Sequence, residues 1–179
     1  MEESGISIQP GELYIARTPL MLQTILGSCV SVTFWSKRLA LGAMCHGVLP
    51  KCPRGAALRE QFRYVDSAIR YLLQQLDASG TKRKDLEIKV FGGADVLAVS
   101  ASRAAKPTVG ALNCKAALEV LQAENLSINA SDLGGSRGRV IYFDTGTGEV
   151  LVKRLAPHQG LPKAKAGDEF PTPFAKVPQ

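Results

Sequence analysis

With 179 residues and 45% hydrophobic content, the chain has enough material for one domain with a real core and too much apolar content for a disordered polypeptide. It has no apolar run near the ~20 residues of a membrane-spanning helix, and its acidic Met1-Glu2-Glu3 start lacks the basic-then-apolar layout of a signal peptide, so a cytoplasmic protein without membrane insertion is expected. The +6 net charge is spread along the chain; its densest cluster, Lys82-Arg83-Lys84, has no interleaved aromatics, which disfavours a nucleic-acid module.

In chain order, residues 11–18 read as a strand. Residues 29–36 form a second, where Cys29-Val30-Ser31-Val32-Thr33-Phe34-Trp35 alternates and is rich in β-branched and aromatic side chains. Ser36-Lys37-Arg38 is a turn, and residues 39–49 return as the partner strand. Residues 50–54 are a loop. Leu58, Phe62, Val65, Ile69, Leu72 and Leu76 then recur in steps of three and four, which predicts one continuous amphipathic helix stopped by Gly80. Residues 86–91 read as a strand running into Gly92-Gly93, and 97–108 as a loop. Residues 110–124 form a second helix, with Leu112, Ala116, Val120 and Leu121 apolar. Residues 126–130 are short and extended. Residues 139–143 and 149–153 flank Asp144-Thr145-Gly146-Thr147-Gly148 as a hairpin. The expected organisation is a domain over 1–155 and a Pro-rich, disordered tail over 156–179. Some seven strands and two helices make an α+β chain.

The chemistry-bearing residues concentrate on the first hairpin. Cys29 follows the Gly27-Ser28 turn, and His46 lies seventeen residues later, near the end of the returning strand. Antiparallel pairing brings the start of one strand beside the end of the other, so the two side chains are expected to meet. Taken singly, Cys29 is an ordinary buried thiol and His46 an ordinary core histidine. Together they form a nucleophile and base for acyl transfer, because the thiolate is the attacking species. The only other histidine is His158, in the tail. The Gly27-Ser28 turn can offer backbone N–H groups to an oxyanion. A third group should orient the imidazole; Thr24 and its neighbour Gln23 are both placed for it, with Thr24 preferred.

The other cysteines, Cys45, Cys52 and Cys114, are too scattered for a disulfide framework. Cys45 and His46 are adjacent, so on a strand they point to opposite faces. No CxxC pair exists, and neither a metal nor another cofactor is expected. Phe91-Gly92-Gly93-Ala94-Asp95 and residues 132–139 (Asp-Leu-Gly-Gly-Ser-Arg-Gly-Arg) superficially suggest phosphate loops. They match neither GxGxxG nor a Walker sequence and read as tight turns.

Several blocks together resemble a known family. Leu26-Gly27-Ser28-Cys29-Val30, His46-Gly47-Val48-Leu49-Pro50, Arg63-Tyr64-Val65-Asp66, Lys89-Val90-Phe91-Gly92-Gly93-Ala94, Gly110 with Asn113, residues 132–139, and Val152-Lys153-Arg154-Leu155 occur in the order found in CheD chemoreceptor glutamine deamidases. The resemblance covers roughly residues 10–155. It implies an α+β fold of packed β-sheets with outer helices, a CheD-like cysteine hydrolase related to glutamine-deamidating toxins. It implies conversion of selected glutamines of methyl-accepting chemotaxis receptors to glutamate, with Cys29 as nucleophile and His46 as its base. The family's third residue, a threonine usually six positions before the cysteine, falls on Gln23 here; Thr24, five before, fits with a one-residue shift. The resemblance also implies a CheC-type phosphatase as a second partner, and hence an adaptor as the alternative role. Receptor glutamyl methylesterase activity is a further alternative, using the same thioester chemistry. A monomer is the default expectation.

Overall fold

The Cys29–Trp35 alternation folds as β4 (Val30–Ser36), and a short 3-10 turn at Lys37–Leu39 returns the chain as β5 (Leu41–Gly47). The antiparallel register runs from Val30↔Gly47 to Ser36↔Leu41, so the expected hairpin forms with its second strand shorter than the 39–49 span. A computed structural model describes residues 5–96 and 106–156. The rest of the 97–108 loop, His158 and nearly all of the 156–179 tail lie outside the described residues.

Nearly every residue of β4 and β5 is buried, because this hairpin is the middle layer of the molecule. Val30, Val32, Phe34, Leu41, Ala43 and Cys45 face one way, into a core shared with the helices. Cys29, Trp35 and Met44 belong to a second core against another sheet. Alternation of side chains thus sends Cys45 and His46 to opposite faces.

The central sheet has the order β2-β5-β4-β6-β7, adding β2 (Leu13–Ala16), β6 (Glu87–Gly92) and β7 (Ala130–Leu133). The last of these begins only at the final residue of the expected 126–130 segment: Asn129 Oδ1 accepts the Ile88 N–H before β7 begins. The second sheet has the order β1-β3-β8-β9. It comprises β1 (Ile6–Ser7), β3 (Met21–Leu26), β8 (Arg139–Asp144) and β9 (Val150–Arg154). The β8–β9 hairpin is the expected one. Strands β1 and β3 were not evident from the sequence. Met, Leu and Gln are not strong strand formers, and the buried stripe of β3 (Leu22, Thr24, Leu26) contains a threonine.

The single helix expected over Leu58–Leu76 is broken. One turn, α1 (Leu58–Gln61), is followed by an extended Tyr64 and then α2 (Val65–Ala78). The break occurs because the segment after β5 pairs with it: Val48 and Leu49 donate to the Arg63 carbonyl and Val65 donates to Leu49. Tertiary hydrogen bonds override a continuous helical period here. Gly80 ends α2 at φ +79, as expected. Helix α3 (Val109–Ala123), capped by the Thr108 hydroxyl, packs beside α2 on the outer face of the central sheet. The layers are therefore helices, five-stranded sheet, four-stranded sheet, an α+β architecture.

Candidate active site

The site lies between the two sheets. Alternation on β5 points His46 at the four-stranded sheet, and alternation on β3 points Thr24 back at it. Both are almost fully buried, at 2% and 1% exposure. Thr24 Oγ1 lies 2.7 Å from His46 Nδ1 and 2.6 Å from the Ile8 carbonyl oxygen. A carbonyl only accepts, so the threonine hydrogen goes to Ile8 and the hydroxyl oxygen must accept from Nδ1–H. The ring is thereby fixed as the tautomer with an unprotonated Nε2. That Nε2 is buried and has no hydrogen-bond partner among the described residues. Burial pushes the imidazole pKa down to about 4, with the Ile8 carbonyl opposing, so His46 is neutral at pH 7.

Gln23 points away from this arrangement. It occupies the alternate position of β3, between Tyr142 and Ser7 in the sheet register. The alternation thus separates the two candidates left open by the sequence, and only Thr24 meets the ring.

Cys29 sits at the entrance to β4, half-buried in the intersheet core with Met44 and Phe91. Ser31 is the Cα partner of His46, so Cys29 occupies the diagonal position, about 7–8 Å away in strand geometry and within side-chain reach. No hydrogen bond joins the sulfur to Nε2 in the resting arrangement. Burial pushes the thiol above its ordinary pKa, while its own backbone N–H pulls the other way. Thiol and imidazole are both held neutral, which suits general-base activation during attack better than a standing ion pair. Cys45, by contrast, is sealed on the helix side, its pKa pushed up to about 11.

The turn before Cys29 is clamped from behind. Gly27 O accepts from Ala94 N–H at 2.8 Å, Cys29 O from Gly93 N–H at 2.8 Å, and Ser28 O from Asn113 Nδ2 at 2.9 Å. Gly92 must be glycine at φ +111, since a Cβ there would lie 2.1 Å from the Cys29 oxygen. The two glycine-rich segments are therefore tight turns that back Cys29, as their sequences suggest. The second is anchored by Arg139, whose buried guanidinium binds the Asp132 carboxylate and the Asp132 and Gly134 carbonyls. Gly134 N–H in turn bonds Gly92 O.

Sequence reasoning missed the Ile8 carbonyl, because a backbone oxygen leaves no signature in the residue type. It also gave Asn113 no role, although a lone amide on an otherwise apolar helix face was a usable signal. Among the described residues, no group of three His, Cys, Asp or Glu side chains could hold a metal ion.

Residues 48–154 match the family model described as CheD chemotactic sensory transduction. The chain is 45% identical over 150 residues to a probable chemoreceptor glutamine deamidase CheD 2 of Geobacter sulfurreducens, covering 84% of this chain and 89% of that protein. It is 37% identical over 173 residues to a probable chemoreceptor glutamine deamidase CheD of Ralstonia pickettii, covering 96% of this chain and 72% of that one. Among solved structures it is similar to the Bacillus licheniformis hypothetical protein YfiH, with a TM-score of 0.44 and 10% identity over 75% of this chain and 61% of that one.

Proposed function

This chain belongs to the CheD family of chemotactic sensory transduction proteins, and we propose that it deamidates chemoreceptor glutamines through Cys29, His46 and Thr24. The observation that carries the assignment is the His46 ring, held at Nδ1 by Thr24 and left with a buried, unpartnered Nε2 on the face that Cys29 shares.

Nε2 takes the Cys29 thiol proton as the sulfur bonds to the glutamine side-chain carbonyl carbon. The resulting oxyanion is held by backbone N–H groups of the Gly27-Ser28-Cys29 turn. Nε2–H then protonates the amide nitrogen, the C–N bond breaks and ammonia leaves. A water molecule gives a proton to neutral Nε2 while attacking the thioester carbonyl. The C–S bond breaks, glutamate forms and the thiol is restored. Thr24 holds the ring in the required tautomer and stabilises the imidazolium formed in each half-reaction. The chemistry is complete with these side chains and water.

The substrate segment is the cytoplasmic helical domain of a methyl-accepting receptor, which places the enzyme in the cytoplasm. No helix among the described residues is long and apolar enough to cross a membrane. We propose a monomer as the acting species and a CheC-type phosphatase as a second partner. The deciding experiment is mass spectrometry of a purified receptor cytoplasmic fragment incubated with wild type and with Cys29→Ala. A gain of one mass unit at specific glutamines, with wild type only, is expected. No shift with any receptor of the same cell, with or without a phosphatase partner, would overturn the enzymatic assignment and leave a binding role. Methanol release in place of ammonia would identify a methylesterase.

A further inference from the structure

We infer that Asn113 is a positioning residue for the oxyanion, holding the Ser28–Cys29 peptide so that the Cys29 N–H is turned into the reaction site. The inference rests on the deamidase reading. Asn113 is fully buried on α3. Its Nδ2 donates at 2.9 Å to Ser28 O and at 2.9 Å to Val48 O, which uses both of its hydrogens. Its Oδ1 has no partner among the described residues. The amide orientation is not interchangeable, since a flipped group would set its oxygen against two carbonyl oxygens. One side chain therefore ties the residue before the nucleophile to the residue two places after the base.

The consequence for catalysis follows from peptide planarity. No cis peptide occurs among the described residues, so the N–H of each peptide points opposite to its C=O. With Ser28 O drawn toward α3, the Cys29 N–H is directed away from that helix. The flanking peptides are oriented differently: Gly27 O and Cys29 O accept from the backbone N–H groups of Ala94 and Gly93, which no change of Asn113 removes. Of these three successive peptides, the one that carries the nucleophile's own N–H is the one held by a side chain. Accepting a hydrogen bond at Ser28 O also polarises that peptide and makes its N–H a stronger donor.

The test uses the full chain and a receptor cytoplasmic fragment. Asn113→Ala should lower kcat about 10²-fold, the loss typical of one misplaced oxyanion donor, with KM changed less than about threefold. Alkylation of Cys29 by iodoacetamide forms no oxyanion, so its rate and pH profile should stay at wild-type values. An unchanged kcat, or alkylation falling in parallel with kcat, would overturn the inference; the latter means that Asn113 merely braces the turn. Should Asn113→Ala fail to fold by circular dichroism, the wild type itself supplies the test. A receptor-derived peptide with the glutamine side chain replaced by glutamate γ-semialdehyde adds the Cys29 sulfur to its aldehyde carbon, the thiol proton passing through His46 to the oxygen. The Cys29 amide resonance of ¹⁵N-labelled protein should then move downfield, and an unmoved resonance overturns the inference. Wild type that releases no ammonia overturns the deamidase reading and this inference with it, whereas active wild type beside an equally active variant overturns this inference alone.

Discussion

Replacing Thr24 by valine keeps the shape of the side chain and removes the hydroxyl on which the tautomer of His46 depends. The substitution deletes the acceptor 2.7 Å from Nδ1 and the donor 2.6 Å from Ile8 O, both on a buried side chain. An orphaned buried polar group costs about 1–3 kcal/mol. Charged to stability, that lowers the melting temperature by about 2–12 °C for a domain of this size. Charged to the barrier, where the imidazolium loses its Nδ1–H acceptor, the same range lowers kcat by about 5- to 150-fold, since each 1.4 kcal/mol is tenfold. Steady-state ammonia release and thermal melts on Thr24→Val, with Gln23→Ala as the companion, read both quantities. Gln23 faces away on the same strand, so Gln23→Ala should stay within about twofold of wild type in kcat. A Gln23→Ala enzyme slower than Thr24→Val would refute the assignment and return the orienting role to the residue six places before the cysteine. Thr24→Val at wild-type rate would show that the hydroxyl does not fix the ring.

Cys29→Ala should abolish ammonia release while melting within a few degrees of wild type, because it removes one sulfur from a half-buried position; ammonia release from the folded variant would remove Cys29 from the mechanism. The acid limb of kcat/KM should lie near pH 4, where buried His46 gains its proton, and a limb near the ordinary 6.5 would contradict the burial-driven shift. Stability should follow the same group. The unfolded chain takes up the His46 proton first, so stability is full above pH 6.5 and is lost as pH falls through 6.5 toward 4, by about 3 kcal/mol in all. Denaturant titrations of wild type and His46→Gln across this range should differ in slope, and equal slopes would refute the linkage. Gly92→Ala, whose Cβ would meet the Cys29 oxygen at 2.1 Å, should cost about 2–5 kcal/mol and displace the nucleophile. Gly134→Ala has open space and strains only its φ of +72, so about 1 kcal/mol and little lost activity are expected; similar ammonia-release losses for the two would contradict the clamping role of Gly92.

What the sequence determined by itself was local. Alternation over Cys29–Trp35, the turn after it and the returning strand specified a hairpin, and a hairpin carries residue 29 toward residue 46 because antiparallel pairing allows little else. The helical period gave the buried faces of α2 and α3, and Gly80 gave a helix end, since a left-handed φ selects glycine. Gly92-Gly93 was legible as close backbone approach, though not what it approached. The family blocks, read together, supplied the chemistry that one cysteine and one histidine could not.

The tertiary structure decided what depends on two distant segments meeting. Thr24 meets the His46 ring only because β3 lies across the intersheet core from β5, and one residue of strand alternation put Gln23 on the other face. The hydroxyl's direction was set by the Ile8 carbonyl, a group every residue possesses and no side chain announces. The expected long helix was broken by backbone pairing to Arg63 and Leu49, which outweighed a continuous apolar period. Asn113 finds its two hydrogen-bond acceptors in carbonyls 85 and 65 residues away in the chain. Periodicity encodes which face is buried, whereas hydrogen bonds between remote backbone and side-chain groups exist only once the layers are stacked.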